Sequence, residues 1–161
     1  NAIKVKKELF VDLDFIFILF LMIIDETDNL EYFLYKYNIS KKDQKRAYAI
    51  NNFYNEKNGP KTLNEANLNK VLYYDGKQAV LDILNFKIIK TKKVDKKLLS
   101  LLELYKNKII PSLPVGADLL MTKYKIKEGR QLGSMLKEIE KEWISNNFKI
   151  SDKQIDNIVK G

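Results

Sequence analysis

The chain contains neither cysteine nor histidine. Without cysteine there is no disulfide framework, no thiolate nucleophile and no sulfur-ligated metal, a composition that suits a reducing compartment. Without histidine there is no Ser-His-Asp triad, no zinc site of the Cys/His type and no imidazole acid–base chemistry at neutral pH. An enzyme made from these residues has only carboxylates, lysine and tyrosine to work with. Proline and glycine are scarce, three and six, and the only arginines are Arg46 and Arg130. No charged segment followed by an apolar stretch and a small-residue cleavage site marks a secretory leader. The apolar run from Phe15 to Ile24 has ten residues, about half of the ~20 that a bilayer crossing needs. It reads as a buried helix, and the expectation is a cytoplasmic protein with no membrane partner.

What is present is apolar residues at 45% and charged residues at 31% of 161, enough for one sizeable core or two small ones. Lysine and arginine number 29 against 21 acids, for a net charge of +8 and a pI near 9.4. That sign suits a partner made of phosphates. The excess is nearly all lysine in a chain also rich in Asn and Ile, so the coding bias of an AT-rich genome explains it equally well, and both readings stand open. Asn1-Ala2, with no initiator Met, reads as a tag remnant (residues 1–2) ahead of a fragment of a longer protein.

Helical periodicity runs throughout and strand alternation is absent, so the expected fold is all-α, about eight or nine helices in two packed groups. The first helix is expected from Lys4 to Ile24, at the centre of an N-terminal bundle. Asp12 and Asp14 within it invite comparison with paired metal-binding aspartates, but no phosphate-binding turn precedes them. Residues two apart on a helix also point about 200° from one another, so no metal site is assigned. Asp28 to Glu31 reads as a capping box for a short helix to Tyr37, and Ser40 as the cap of the next, to about Glu56. Gly59-Pro60 breaks the chain, and Thr62 to Glu65 reads as a second capping box. Asp75-Gly76 and Asp95 open two more helices, the latter with Leu98, Leu99, Leu101, Leu102 and Leu104 facing the core. Ser151-Asp152 caps a last helix docked by Ile155, Ile158 and Val159. These divisions give an N-terminal bundle over 3–58, a helical middle segment over 59–107 and a C-terminal helical tail over 108–161.

Two lysine clusters stand out before the tail. Lys41, Lys42, Lys45 and Arg46 crowd a helix start, where the macrodipole prefers acids. Lys87 to Lys97 carries six lysines in eleven residues. Each reads either as a solvated face or as a phosphate contact.

The punctuation concentrates between Pro111 and Phe148, which hold three of the six glycines, two of the three prolines and the only Trp. Pro114, Gly116, Asp118, Leu119, Gly129, Gly133, Leu136, Glu140 and Trp143 fall in a pattern of Pro, Gly-x-Asp-Leu, Gly-x-x-x-Gly-x-x-Leu, then an acidic helix ending in Trp. With these residues the sequence resembles the C-terminal part of the bacterial tRNA nucleotidyltransferase/poly(A) polymerase family, the CCA-adding enzymes. It departs from that pattern at Tyr124-Lys125, where the family commonly has Leu-Gly, and at Glu128 and Arg130, where it commonly has Pro.

The resemblance implies that 3–58 belongs to the body and 108–161 to the tail of such an enzyme, with tRNA or another RNA as partner. The catalytic head, also a partner, would lie before residue 1. It implies no catalytic residue and no cofactor in this fragment, with Mg and ATP/CTP serving the full-length enzyme in adding CCA or A to RNA 3′ ends. The absence of a long basic extension at the end of the chain favours CCA addition. The implied RNA-binding set is Lys123, Lys125, Lys127, Gly129, Arg130 and Gly133, with Lys41, Lys42, Lys45, Arg46, Lys90, Lys92 and Lys93 as further contacts. For the two glycines, close helix packing or a tight turn is the competing explanation. Trp143 falls in register with Leu132, Leu136 and Ile139 and is expected in the core. The alternative from another class is a helical protein-interaction module with no RNA partner.

Overall fold

The computed structural model describes residues 10–11, 13–25, 27–55, 62–93 and 95–160. The expected helix start over residues 4–9, Asp12, the tag at 1–2 and the Gly59-Pro60 break lie outside the described residues. Among the described residues the chain is all-α, with nine helices and no strand: α1 Phe15–Ile23, α2 Asn29–Lys36, α3 Lys41–Tyr54, α4 Glu65–Asp75, α5 Lys77–Lys90, α6 Lys96–Asn107, α7 Ala117–Tyr124, α8 Arg130–Ser145 and α9 Asp152–Lys160. None of them is long and apolar enough to cross a membrane. The chain divides into two compact units, residues 1–62 with 74–108, and residues 63–73 with 109–161.

In the first unit the polar residues at helix starts set the boundaries. Ser40 Oγ accepts the Asp43 N–H at 3.2 Å and donates to the Asp43 carboxylate at 2.7 Å, closing the first turn of α3. Asp95 accepts the Lys97 N–H at 3.0 Å ahead of α6, and Gly76, at φ 89°, supplies the bend from which α5 starts. Two expectations are corrected. The first helix does not run unbroken to Ile24, because Asp14 is extended (φ −72°, ψ 154°) and its carboxylate takes the Phe17 N–H at 2.8 Å, making it the cap of α1. An aspartate forms such a local bond more readily outside a helix than inside one. At α2, Asp28 makes no side-chain cap bond. Instead Asp25 accepts from Thr27 and Asn29, and the Thr27 hydroxyl accepts the Asn29 N–H at 3.2 Å.

The centre of this unit is α5 rather than α1. Ala79, Val80, Asp82, Ile83, Leu84, Phe86 and Ile88 are all buried, covering the helix nearly all round, and α3 and α6 pack against it. On α1, Phe17, Phe20 and Leu21 face inward while Phe15 and Met22 are exposed, so it is a one-sided surface helix. On α6 the inward face is Leu98, Leu101, Leu102 and Tyr105, with Leu104 exposed.

The second unit is built on α8. Val115, Leu120, Leu132, Ile139 and Ile155 form its core, with Met121, Ile126, Met135, Leu136, Ile158 and Val159 packed around them. Trp143 is 1% exposed and meets the rings of Tyr73 and Phe148 edge-on, with centroids 5.9 and 5.0 Å away. It is a core residue, as its register predicts. Asn147 (φ 57°) and Phe148 (φ 61°) terminate α8 in left-handed geometry, and the Phe148 N–H closes onto the Trp143 carbonyl at 2.8 Å. A bulky residue adopts this conformation at a cost, offset here by burial of the Phe148 ring. From α4, the buried Asn69 donates to the Ile144 carbonyl at 3.4 Å and to Asn147 Oδ1 at 3.3 Å.

Candidate nucleic-acid interface

Helix α7 starts at Gly116 and ends at Lys125, whose left-handed conformation (φ 55°, ψ 31°) turns the chain. Five residues later α8 begins. Ile126 points into the apolar core, so the intervening Lys125, Lys127 and Glu128 are turned outward and exposed. Arg130, in the first turn of α8, is exposed as well. The connector therefore exposes Lys125, Lys127 and Glu128 just ahead of, and Arg130 within, the first turn of a 16-residue helix. Among the described residues no side chain caps that terminus, and no acid occupies its first turn. The N–H groups there and the positive end of the macrodipole face the same solvent as the three cations.

The two glycines differ in their physical cause. Gly129 sits at φ 151°, ψ −166°, a region essentially confined to glycine, so the turn itself requires it. Gly133 is helical and exposed. A Cβ built on either residue meets nothing within 4 Å. Close helix packing thus explains neither glycine, and Gly133 costs about 1 kcal/mol of helix stability relative to alanine with no return inside the fold.

Lys123 differs from its neighbours. Its ammonium lies 3.5 Å from Asp152 and 5.2 Å from the Tyr124 ring centroid. A hydrogen bond with the Tyr124 hydroxyl, then Asp152, raise its pKa. Tyr124 in turn donates to Asp156, which holds that carboxyl below its ordinary value. Lys123 and Tyr124 thus tie the end of α7 to α9. The sequence signal for this was the Asp152/Asp156 pair, four apart on one face of the last helix.

The remaining residues of the expected set lie in the other unit. Lys41 and Lys42 are exposed at the start of α3. Lys45 Nζ donates to the Tyr74 carbonyl at 2.8 Å and lies 3.7 Å from Asp75. Arg46 is 11% exposed and committed to carboxylates: Asp82 at 2.7 Å, Asp14 at 2.6 Å and Asp43 at 3.4 Å. Burial disfavours its charge, but these partners outweigh that and raise its pKa. At the end of α5, the Lys90 ammonium stands 5.4 Å from the Phe86 ring centroid. Lys92 and Lys93 are exposed in the turn that Thr91 fixes by donating to the Lys93 carbonyl at 3.2 Å.

No curated protein and no solved structure matches the chain. A family profile does, over residues 13–159, nearly its whole length and including every residue of the glycine-bearing connector. With an all-α fold and a match of this extent, the chain belongs to the tRNA nucleotidyltransferase domain 2 family, consistent with the body and tail region of such enzymes.

Proposed function

We propose that this chain is the RNA-binding body and tail of a nucleotidyltransferase that adds CCA, or A, to RNA 3′ ends, and that it holds tRNA through the connector between α7 and α8. The nucleotide chemistry, with its Mg and ATP/CTP, belongs to a catalytic head outside these residues. The sequence carries no Gly-Ser or Gly-Gly phosphate-binding turn followed by paired aspartates that would hold two metals.

The observation that carries the reading is Gly133. A helix-interior glycine with open space where its Cβ would be has no reason within the fold, and a helix surface stripped of one side chain lets a sugar-phosphate backbone approach. Arg130 and the first N–H groups of α8 lie within one turn of Gly133, and the exposed Lys125 and Lys127 precede them in the connector, which together supply the donors a phosphate needs. Duplex RNA is recognised largely by such shape and backbone contacts. Lys123 is exposed and shared with Asp152, and Arg46 is engaged by three carboxylates.

The test is tRNA binding across a salt series. Lys125→Glu, Lys127→Glu and Arg130→Glu together should flatten the log-log salt dependence by roughly two units, and leave the helical spectrum unchanged because exposed charges contribute little to stability. The control reverses Lys137, Lys149 and Lys153, exposed lysines of the same unit. Equal weakening in both variants makes the charge diffuse and removes the connector's role. No binding by the unaltered protein hands the chain to the protein-interaction reading.

A further inference from the structure

Helix α2 and its C-cap expose three tyrosines at a point the connector does not use. Tyr35 is 88% exposed, Tyr32 63% and Tyr37 59%. The fold gains little from rings so placed, since burial is what makes an aromatic side chain stabilising. Tyr32, Tyr35 and Lys36 fall at i, i+3 and i+4, hence on one side of the helix. With Leu34, Asn38 and Gln44 they line a groove of about 630 Å³. The Lys36 ammonium stands 5.3 Å from the Tyr32 ring centroid and 5.8 Å from that of Tyr37, a cation held between two π faces. Lys41, exposed, precedes Gln44 by one turn on α3. Asp28 and Glu31 stand one turn N-terminal of Tyr32 and Tyr35 on the same side of α2, Asp43 beside Gln44 is engaged by Ser40 and Arg46, and Lys36 and Lys41 bring positive charge to the Tyr35–Asn38 end.

We propose that this groove stacks the unpaired bases of a single-stranded RNA segment, with Tyr32 and Tyr35 as platforms and Lys36 and Lys41 taking the adjoining phosphates. This rests on the RNA-binding reading above but occupies a separate surface in the other unit. Alternating rings and lysines match a chain in which each flat base is joined to an anionic linker, and stacking on a ring accepts any base. A duplex offers no free base face, so the groove discriminates single strand from double. Rings this exposed, outside the core, are also replaceable without loss of the fold.

The experiment compares oligoadenylate with a blunt RNA duplex in a direct binding titration. The unaltered chain is expected to bind oligoadenylate, and Tyr32→Ala with Tyr35→Ala should weaken it roughly tenfold for each ring lost while leaving duplex affinity alone. Tyr32→Phe with Tyr35→Phe should retain binding, because the ring and not the hydroxyl does the stacking. An alanine pair that binds oligoadenylate like the unaltered protein overturns the proposal, as does equal loss on single strand and duplex. A concentration-dependent dimer in sedimentation that the alanine pair dissolves also overturns it, by putting a second copy in the groove. The connector triple variant separates the two readings. If it loses tRNA while the tyrosine variants change nothing, the groove alone fails; if it keeps tRNA while the alanine pair loses oligoadenylate, the groove stands and the connector falls.

Discussion

Arg46 and Asp82 face one another in a two-point pair, Nε to Oδ2 at 2.7 Å and Nη2 to Oδ1 at 3.1 Å, joining α3 to the most buried helix of its unit. Asp82 is 1% exposed, and Gln78 donates to it as well, at 2.9 Å. Removing Arg46 strands the buried Asp82 carboxylate, to which, among the described residues, only the neutral Gln78 still donates, whereas Arg46 keeps Asp14 and Asp43 when Asp82 is lost. Arg46→Ala should therefore cost about 3–5 kcal/mol in denaturant unfolding, and more than Asp82→Ala, whereas replacing both Arg46 and Asp82 with apolar residues of similar volume should recover much of that loss. An Arg46→Ala cost below about 1 kcal/mol would show that water reaches the Asp82 carboxylate.

The same network makes stability depend on acid. For Asp14, burial works against ionisation, but the Arg46 hydrogen bond and the Phe17 N–H outweigh it and leave the pKa below its ordinary 3.8. A carboxyl depressed in the folded state contributes stability that is present above 3.8 and is lost as pH falls through the lowered value. Asp25 and Asp156 are lowered too, so the informative quantity is a difference. Melting temperatures of the unaltered chain and of Asp14→Asn should converge as pH drops below 3.8 and stand apart at neutral pH. A constant gap across that range would remove Asp14 from the acid response.

Alanine at the two glycines should move stability in opposite directions. Gly133→Ala fills open space on an exposed helix and should raise stability by about 0.5–1 kcal/mol while weakening tRNA binding. Gly129→Ala forces φ 151° onto a residue with a Cβ and should lower stability by about 1–3 kcal/mol. Should Gly133→Ala gain stability with tRNA affinity intact, no backbone approaches that helix.

Incubated with tRNA lacking its 3′ end, Mg, ATP and CTP, the chain alone should extend nothing. Labelled nucleotide incorporated by clean protein would return the Asp12–Asp14 stretch to consideration as a metal site.

Helix class and many helix starts were legible because their causes are local. Ser40, Asp95, Ser151 and Gly76 each act within a turn of their own position, and the Trp143 register follows from residues on its own helix. What could not be read from the sequence has the opposite property. Asp28 to Glu31 has the spelling of a capping box, yet Asp25 and Thr27 win the contest for Asn29. The lysine-rich start of α3 looked uniform, but Arg46 finds Asp82 36 residues away, and Lys123 finds Asp152 across a helix. On α6, by contrast, the spacing does select Tyr105, since Leu98, Leu101, Leu102 and Tyr105 fall at i, i+3, i+4 and i+7, and the expectation of Leu104 follows its apolarity against that stripe.

The placement of α4 fixes an order in time. Its Tyr73 donates to Glu140 at 2.7 Å, and its Asn69 grips the end of α8 at Asn147, 78 residues further along. During synthesis at ~5–20 residues per second, α4 is finished roughly 4–15 s before those partners leave the ribosome. A helix forms in about a microsecond, so Leu68 and Leu72, both fully covered in the finished fold, wait millions of times longer than they need to become helical. Until α8 has been made, the apolar face of α4 stays open to chaperones and proteases.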